Sequence, residues 1–188
     1  MHFWDNPRLN YAGECLHNFS MLDTTALSDA YRTLLEAADA VADSTPTIVP
    51  APGEWNADRI LGHVCLITAA TIAAASAVAA GEHTTYDNRI ALDIWTIDRV
   101  VELAGGSTGL RDRLRRQAEV LCGLSGPALS ETELDTVVPT RLLSNDTVLV
   151  DQPLPLRDLI TGLTDVELPG HTEQLQALLH GRPTEAPV

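Results

Sequence analysis

Between Ile60 and Ala80 the chain carries no Asp, Glu, Lys or Arg, and a single histidine, His63, interrupts a run of Ala, Ile, Val, Thr and Ser. A helix that is apolar around its whole circumference has to be covered on every side, by lipid or by other helices. The run is near the lower length limit for a membrane span. Its flanks are the mixed Asp58-Arg59 and the acidic Glu82, without a basic cluster. Its small side chains suit close helix packing, so the reading is the central helix of a soluble helical domain with no membrane partner.

The rest of the chain supplies helices to cover it. Asp23-Thr24-Thr25 offers N-cap side chains, and Leu27, Tyr31, Leu34, Leu35, Ala38 and Val41 then recur at helical spacing up to about Asp43. Val49-Pro50-Ala51-Pro52-Gly53 reads as an extended loop, because proline biases its predecessor away from helix. Asn56 is a candidate N-cap for the apolar helix, Asp58 favours its positive end, and Gly81 is the residue beyond its end. A third helix is expected from Asn88 through Leu103, interrupted at Gly105-Gly106 and resumed from Leu110 to Leu124 as one kinked helix or two. Thr136–Thr140 and Thr147–Val150 are β-prone around a turn at Ser144-Asn145-Asp146, which predicts a short hairpin or extended excursion with Pro139 on an edge. Pro155 starts a further helix, and a last one runs from about Leu168 to His180, closed by Gly181, Arg182 and Pro183. The expectation is an all-α chain, a helical bundle in a single domain over 1–188, with an irregular segment 1–22 before a core at 23–181.

Charge and cysteine usage narrow the function classes. The formal net charge is −14, and six protonated histidines would still leave it strongly negative. Such a surface repels phosphate backbones, and 4% aromatic residues offer few stacking platforms, so nucleic acid is not an expected partner. Cys15, Cys65 and Cys122 form no C-x-x-C pair, and Met1-His2-Phe3-Trp4-Asp5 has no basic, apolar leader. A cytoplasmic protein with reduced thiols is expected. Nucleotide-binding glycine motifs and a G-x-S-x-G elbow are absent from the sequence.

Three side chains carry the candidate chemistry. His63 shares a helix face with Ile60, Ile67 and Ala70 and therefore points inward. Glu167 and His171 stand four apart in Glu-Leu-Pro-Gly-His, on one face about one turn apart if helical geometry holds. Two imidazoles and one carboxylate bind zinc, nickel or ferrous iron and leave coordination positions open, as catalytic rather than structural sites do. Pro169-Gly170 falls inside that spacing, where proline removes a donor and crowds the preceding turn, an effect that would displace Glu167. Asp165 is a substitute ligand in that event. His180 reads as a cation at a helix C-terminus, His83 as exposed, His2 and His17 as parts of the irregular N-terminus, and Cys65 as a buried inert thiol. Trp55 and Trp95 read as core anchors, and Arg111, Arg113, Arg115 and Arg116 as a solvated face paired with carboxylates.

Trp55-Asn56-Ala57-Asp58-Arg59-Ile60-Leu61-Gly62-His63 resembles the second-helix signature of DinB-like proteins, in which a Trp precedes a helix bearing an inward His. Asp151–Ile160 resembles the start of that family's last helix, and His171-Thr172-Glu173-Gln174-Leu175 its terminal His-containing turn. The resemblance spans roughly residues 24–181 and implies an up-down-down-up four-helix bundle with a divalent metal near its middle. A Glu four before the last His is similar to the mycothiol-dependent maleylpyruvate isomerases, so the resemblance maps a metal set onto His63, Glu167 and His171. It reaches only the bundle domain of those isomerases. What it implies is the more general activity: a metal-dependent transferase joining a low-molecular-weight thiol such as mycothiol to a small electrophile, in a monomer or homodimer. Zinc is the first expectation and nickel the second. The alternative from another class is a non-catalytic binding or regulatory bundle with a degenerate metal site, and an apolar-ligand binder is a third.

Overall fold

A computed structural model describes residues 22–44, 50, 53–144 and 147–180. The expectations at 1–21, including Cys15, His2 and His17, at most of the 49–53 loop, at the tip of the 144–146 turn and at 181–183 lie outside the described residues.

The chain is mostly helical, with a small sheet. Helix α1 spans Thr25–Ala42 and buries Leu27, Tyr31, Leu34, Leu35 and Ala38 of the predicted stripe, together with Ala37, while Val41 is half-buried. Helix α2, Ala57–Ala79, starts where Asn56 accepts a hydrogen bond from the Arg59 amide at 2.9 Å and is followed by Gly81 at φ 73°. It is long and apolar enough to cross a membrane by length and composition, yet most of it is buried against the rest of the protein. Small residues permit this packing. A Cβ on Gly62 would lie 3.2 Å from both Ile97 Cγ2 and Val101 Cγ2, so glycine lets the crossing helix approach the turn that carries His63.

The single helix expected from Asn88 to Leu103 is two. Helix α3, Arg89–Leu92, is one turn long; Asp93 leaves helical geometry and caps helix α4, Ile94–Ala104, accepting from the Thr96 amide at 2.9 Å. The apolar phase across this junction is misleading, because Ile90, Ile94 and Trp95 are exposed; Trp95, at 75%, is no core anchor. Gly105 and Gly106, both at φ 79°, then separate α4 from helix α5, Ser107–Gly123, which resolves the Gly-Gly interruption into two successive helices.

A π-helical turn containing Pro127 continues α5 over Leu124–Ala128, and Ser130 with Glu133 forms a reciprocal cap for helix α6, Glu131–Leu134. Strands β2, Val137–Ser144, and β3, Thr147–Pro155, form the hairpin. A two-residue strand β1, Tyr86–Asp87, pairs in parallel with β2, giving the order β1-β2-β3. The purely all-α expectation is corrected by this three-stranded mixed sheet, and Pro139 lies on the middle strand rather than an edge. It is tolerated there because β1 begins opposite Thr140, one residue later, so the strand is not yet paired on that side at Pro139.

Helix α7, Leu156–Gly162, passes through a second π-helical turn, Leu163–Glu167, into helix α8, Leu168–His180. One core joins α1, α2, α5, α7 and α8 with the sheet residues Tyr86 and Val138. Helix α2 packs on α5 and α8, and α1 on α5 and α8.

Candidate metal centre

His63 lies in the second turn of α2 and is 4% exposed. Its Nδ1 lies 2.7 Å from the carbonyl oxygen of Ala91 in α3. A carbonyl only accepts, so Nδ1 carries a proton, and in the neutral ring Nε2 is the nitrogen with a free lone pair. His171, in the first turn of α8, repeats the arrangement, with Nδ1 2.8 Å from Oε1 of Gln174 one turn later. The imidazole centroids are 4.7 Å apart with ring planes at 63°, and the Trp55 ring lies 5.3 Å from that of His63.

Glu167 completes the group. Its Oε2 is 3.4 Å from His171 Nε2 and 4.0 Å from His63 Nε2. Pro169 does not displace it. A proline ring crowds the carbonyl four residues back, here that of Asp165, and offers no N–H to it. Over Leu163–Glu167 the backbone widens to π geometry, with the Leu168 amide reaching back to the Leu163 carbonyl, so the missing donor falls where the α ladder is already open. Glu167 then faces His171 across the turn. Asp165 is exposed and outside the cluster.

The donor set fits a divalent cation. One ligand atom from each of His63, Glu167 and His171 lies within 4.8 Å of the others. Donors at about 2.0–2.1 Å from a shared tetrahedral zinc stand roughly 3.4 Å from one another, close to the 3.4 and 4.0 Å separations from Glu167. Both Nδ1–H groups are committed to protein acceptors, which fixes tautomer and ring orientation in the manner of metal-ligating histidines. Among the described residues, the ion-pair partners of Glu167 are these two histidines and no Lys or Arg. A proton on either Nε2 competes with a cation for the same lone pair; the His171 imidazole at 3.4 Å, and then that of His63 at 4.0 Å, hold the Glu167 carboxyl down to about 2 despite its burial. The glutamate side chain is 40% exposed while those of His171 and His63 are 13% and 5% exposed, so the group opens to solvent on the carboxylate side.

The remaining candidates lie elsewhere. His180 is exposed, with Nδ1–H on the Gln176 carbonyl at the end of α8, and His83 is exposed after α2. Cys65 is buried, and burial pushes its thiol up to about 12. Arg111 and Arg115 pair with Asp39, and Arg115 also with Asp112. Trp55 packs against the core as expected, but it also covers His63. Sequence reasoning missed the acceptors that orient the two imidazoles. Gln174, three residues from His171, has a local signal in that spacing; the Ala91 carbonyl has none.

No family model, curated protein or solved structure matches the chain.

Proposed function

We propose that this chain is a divalent-metal-binding protein of DinB-like architecture that acts as a metal-dependent thiol S-transferase on small electrophiles. The observation that carries the reading is the convergence of His63, Glu167 and His171, with both Nδ1 atoms turned away onto other acceptors and both Nε2 atoms turned toward the carboxylate. The mutual packing of α1, α2, α5 and α8 supports the four-helix, up-down-down-up arrangement.

Two imidazoles and one carboxylate leave a tetrahedral cation one protein ligand short, as catalytic zinc sites are. A divalent cation, zinc first and nickel second, stabilises a thiolate at neutral pH, and the thiolate is the nucleophile. The chain's own residues orient and shield. Ala91 and Gln174 hold the imidazoles in one tautomer, Trp55 covers the buried face of the site, and the exposed edge of Glu167 is the side from which thiol and electrophile arrive. A mycothiol-type thiol and an uncharged electrophile suit a strongly acidic protein better than anionic substrates do. Buried Cys65 and half-buried Cys122, both unbridged, suit the cytoplasm. The rival is a non-catalytic bundle in which the same three side chains form only a hydrogen-bonded cluster.

The test is a rate assay on zinc-loaded protein with a chromophoric electrophile and a panel of low-molecular-weight thiols. The proposal expects a rate that depends on zinc and is lost in His63→Ala and His171→Ala. A rate indifferent to zinc, or variants that change stability without changing metal content, would favour the rival.

A further inference from the structure

The carbonyl that orients His63 belongs to a helix of four residues, too short to hold its own position. What holds it is Asn88. At the N-cap position of α3 an asparagine side chain ordinarily accepts from the helix's own first amides. Here it makes no such bond, and Asp87 Oδ1 accepts from the Arg89 amide instead. The Asn88 amide reaches across the sheet: Nδ2 donates to the Leu143 carbonyl at 2.9 Å, and the Leu143 N–H donates to Oδ1 at 2.9 Å. It thereby continues the ladder that β1 begins opposite Thr140 and Arg141, standing in for one more peptide of that strand. The β2–β3 pairing is irregular between Leu142 and Leu143, so the grip falls where the hairpin changes register. Asn88 is 5% exposed, which strengthens the demand that both ends of its amide be paired.

From Asn88 the connection runs to the candidate metal centre through backbone. The Asn88 carbonyl accepts from the Ala91 amide at 2.9 Å, and the Ala91 carbonyl accepts from His63 Nδ1 at 2.7 Å. We propose that Asn88 is a positioning residue for His63, and that the hairpin, gripped at Leu143, sets through Ala91 the tautomer and angle of that imidazole. The inference rests on the metal-binding reading for its consequence but not for its geometry. Without the clamp, the backbone hydrogen bonds that join the start of α3 to β2 among the described residues are those of the two-residue β1 and the Asn88 amide on the Arg141 carbonyl at 3.4 Å, so Ala91 presents its oxygen less firmly.

The experiment pairs two readouts on Asn88→Ala and on Asn88→Ser, whose side chain is too short to span both backbone groups of Leu143. Nitrogen-15 NMR of the metal-free protein reports the His63 tautomer; a chelator competition reports zinc affinity. The expected result is a folded protein in which His63 no longer holds Nδ1–H alone, and in which zinc affinity falls about 10–100-fold, the usual cost of losing a group that orients a ligand. Gln174→Ala serves as a control that weakens zinc through His171 and leaves the His63 tautomer unchanged. An unaltered tautomer with zinc affinity within twofold of the parent overturns the proposal. So does loss of fold in both variants, which makes Asn88 a structural residue only. If the parent binds no zinc but the tautomer shifts in the variants, the metal reading fails and the clamp stands.

Discussion

His171 Nε2 lies 3.4 Å from Glu167 Oε2 across a turn that contains Pro169, a residue that should have pulled the two apart. The π-helical widening over Leu163–Glu167 reconciles them, because it places the missing proline donor where the backbone ladder is already interrupted. The irregularity is part of how the site is built, as such bulges often are at functional positions.

Replacement of Pro169 tests this directly. A proline in a regular helix interior costs about 3 kcal/mol relative to alanine. Since the π turn already absorbs it, Pro169→Ala is expected to stabilise the protein by well under that amount in urea denaturation. A gain of the full size would mean that the proline strains α8 and that the turn does not accommodate it.

Acid should expose the role of Glu167. Its carboxyl is depressed from the ordinary range to about 2, chiefly by the His171 imidazole beside it. A depressed carboxyl contributes stability above its unfolded value and loses it as pH falls through the folded one. The metal-free protein is therefore expected to lose part of its stability between about pH 4.5 and 2, and Glu167→Gln to flatten that limb, as read by thermal melts across the window. Equal acid limbs in parent and variant would contradict the pairing.

How much of this was legible in the sequence differs by residue. Asn56 as cap, Gly81 past the end and the phase of Ile60, His63 and Ile67 fixed α2 and the inward histidine, because each signal is local. The E-x-x-x-H spacing brought Glu167 and His171 to one face, but proline announces a break without saying how the backbone absorbs it. The Asp93 break was hidden by apolar residues in continuous phase, although Ile94 and Trp95 turn outward. Ser130 and Glu133 spell a capping box that would have found α6. Strand β1 is two residues long and too short for any periodicity, and the bond from Asn88 to Leu143 spans 55 positions, where no local pattern reaches.

Thiol labelling separates the buried cysteine from the site. Burial pushes the Cys65 thiol up to about 12, so at pH 8 the reactive thiolate is scarce, before access is counted. Alkylation of the native protein followed by peptide mass mapping is expected to leave Cys65 unmodified until denaturant is added. Rapid native labelling of Cys65 would show that the α2–α5 packing opens.

Trp55 offers an optical reporter. Its ring is 5.3 Å from that of His63, whereas Trp95 is 75% exposed on α4. Zinc addition is expected to change tryptophan fluorescence in the parent and in Trp95→Phe, and to lose that change in Trp55→Phe. A response that survives in Trp55→Phe when Trp4, the third tryptophan, is also replaced would place the cation elsewhere.

Metal stoichiometry after zinc loading and exhaustive dialysis, on protein purified without a histidine tag, is the most direct measurement. Close to one equivalent is expected in the parent, with loss of that equivalent in His63→Ala, Glu167→Ala and His171→Ala while each variant remains folded. Retention of less than about a tenth of an equivalent by the parent, against the tight binding expected of such sites, would contradict the account.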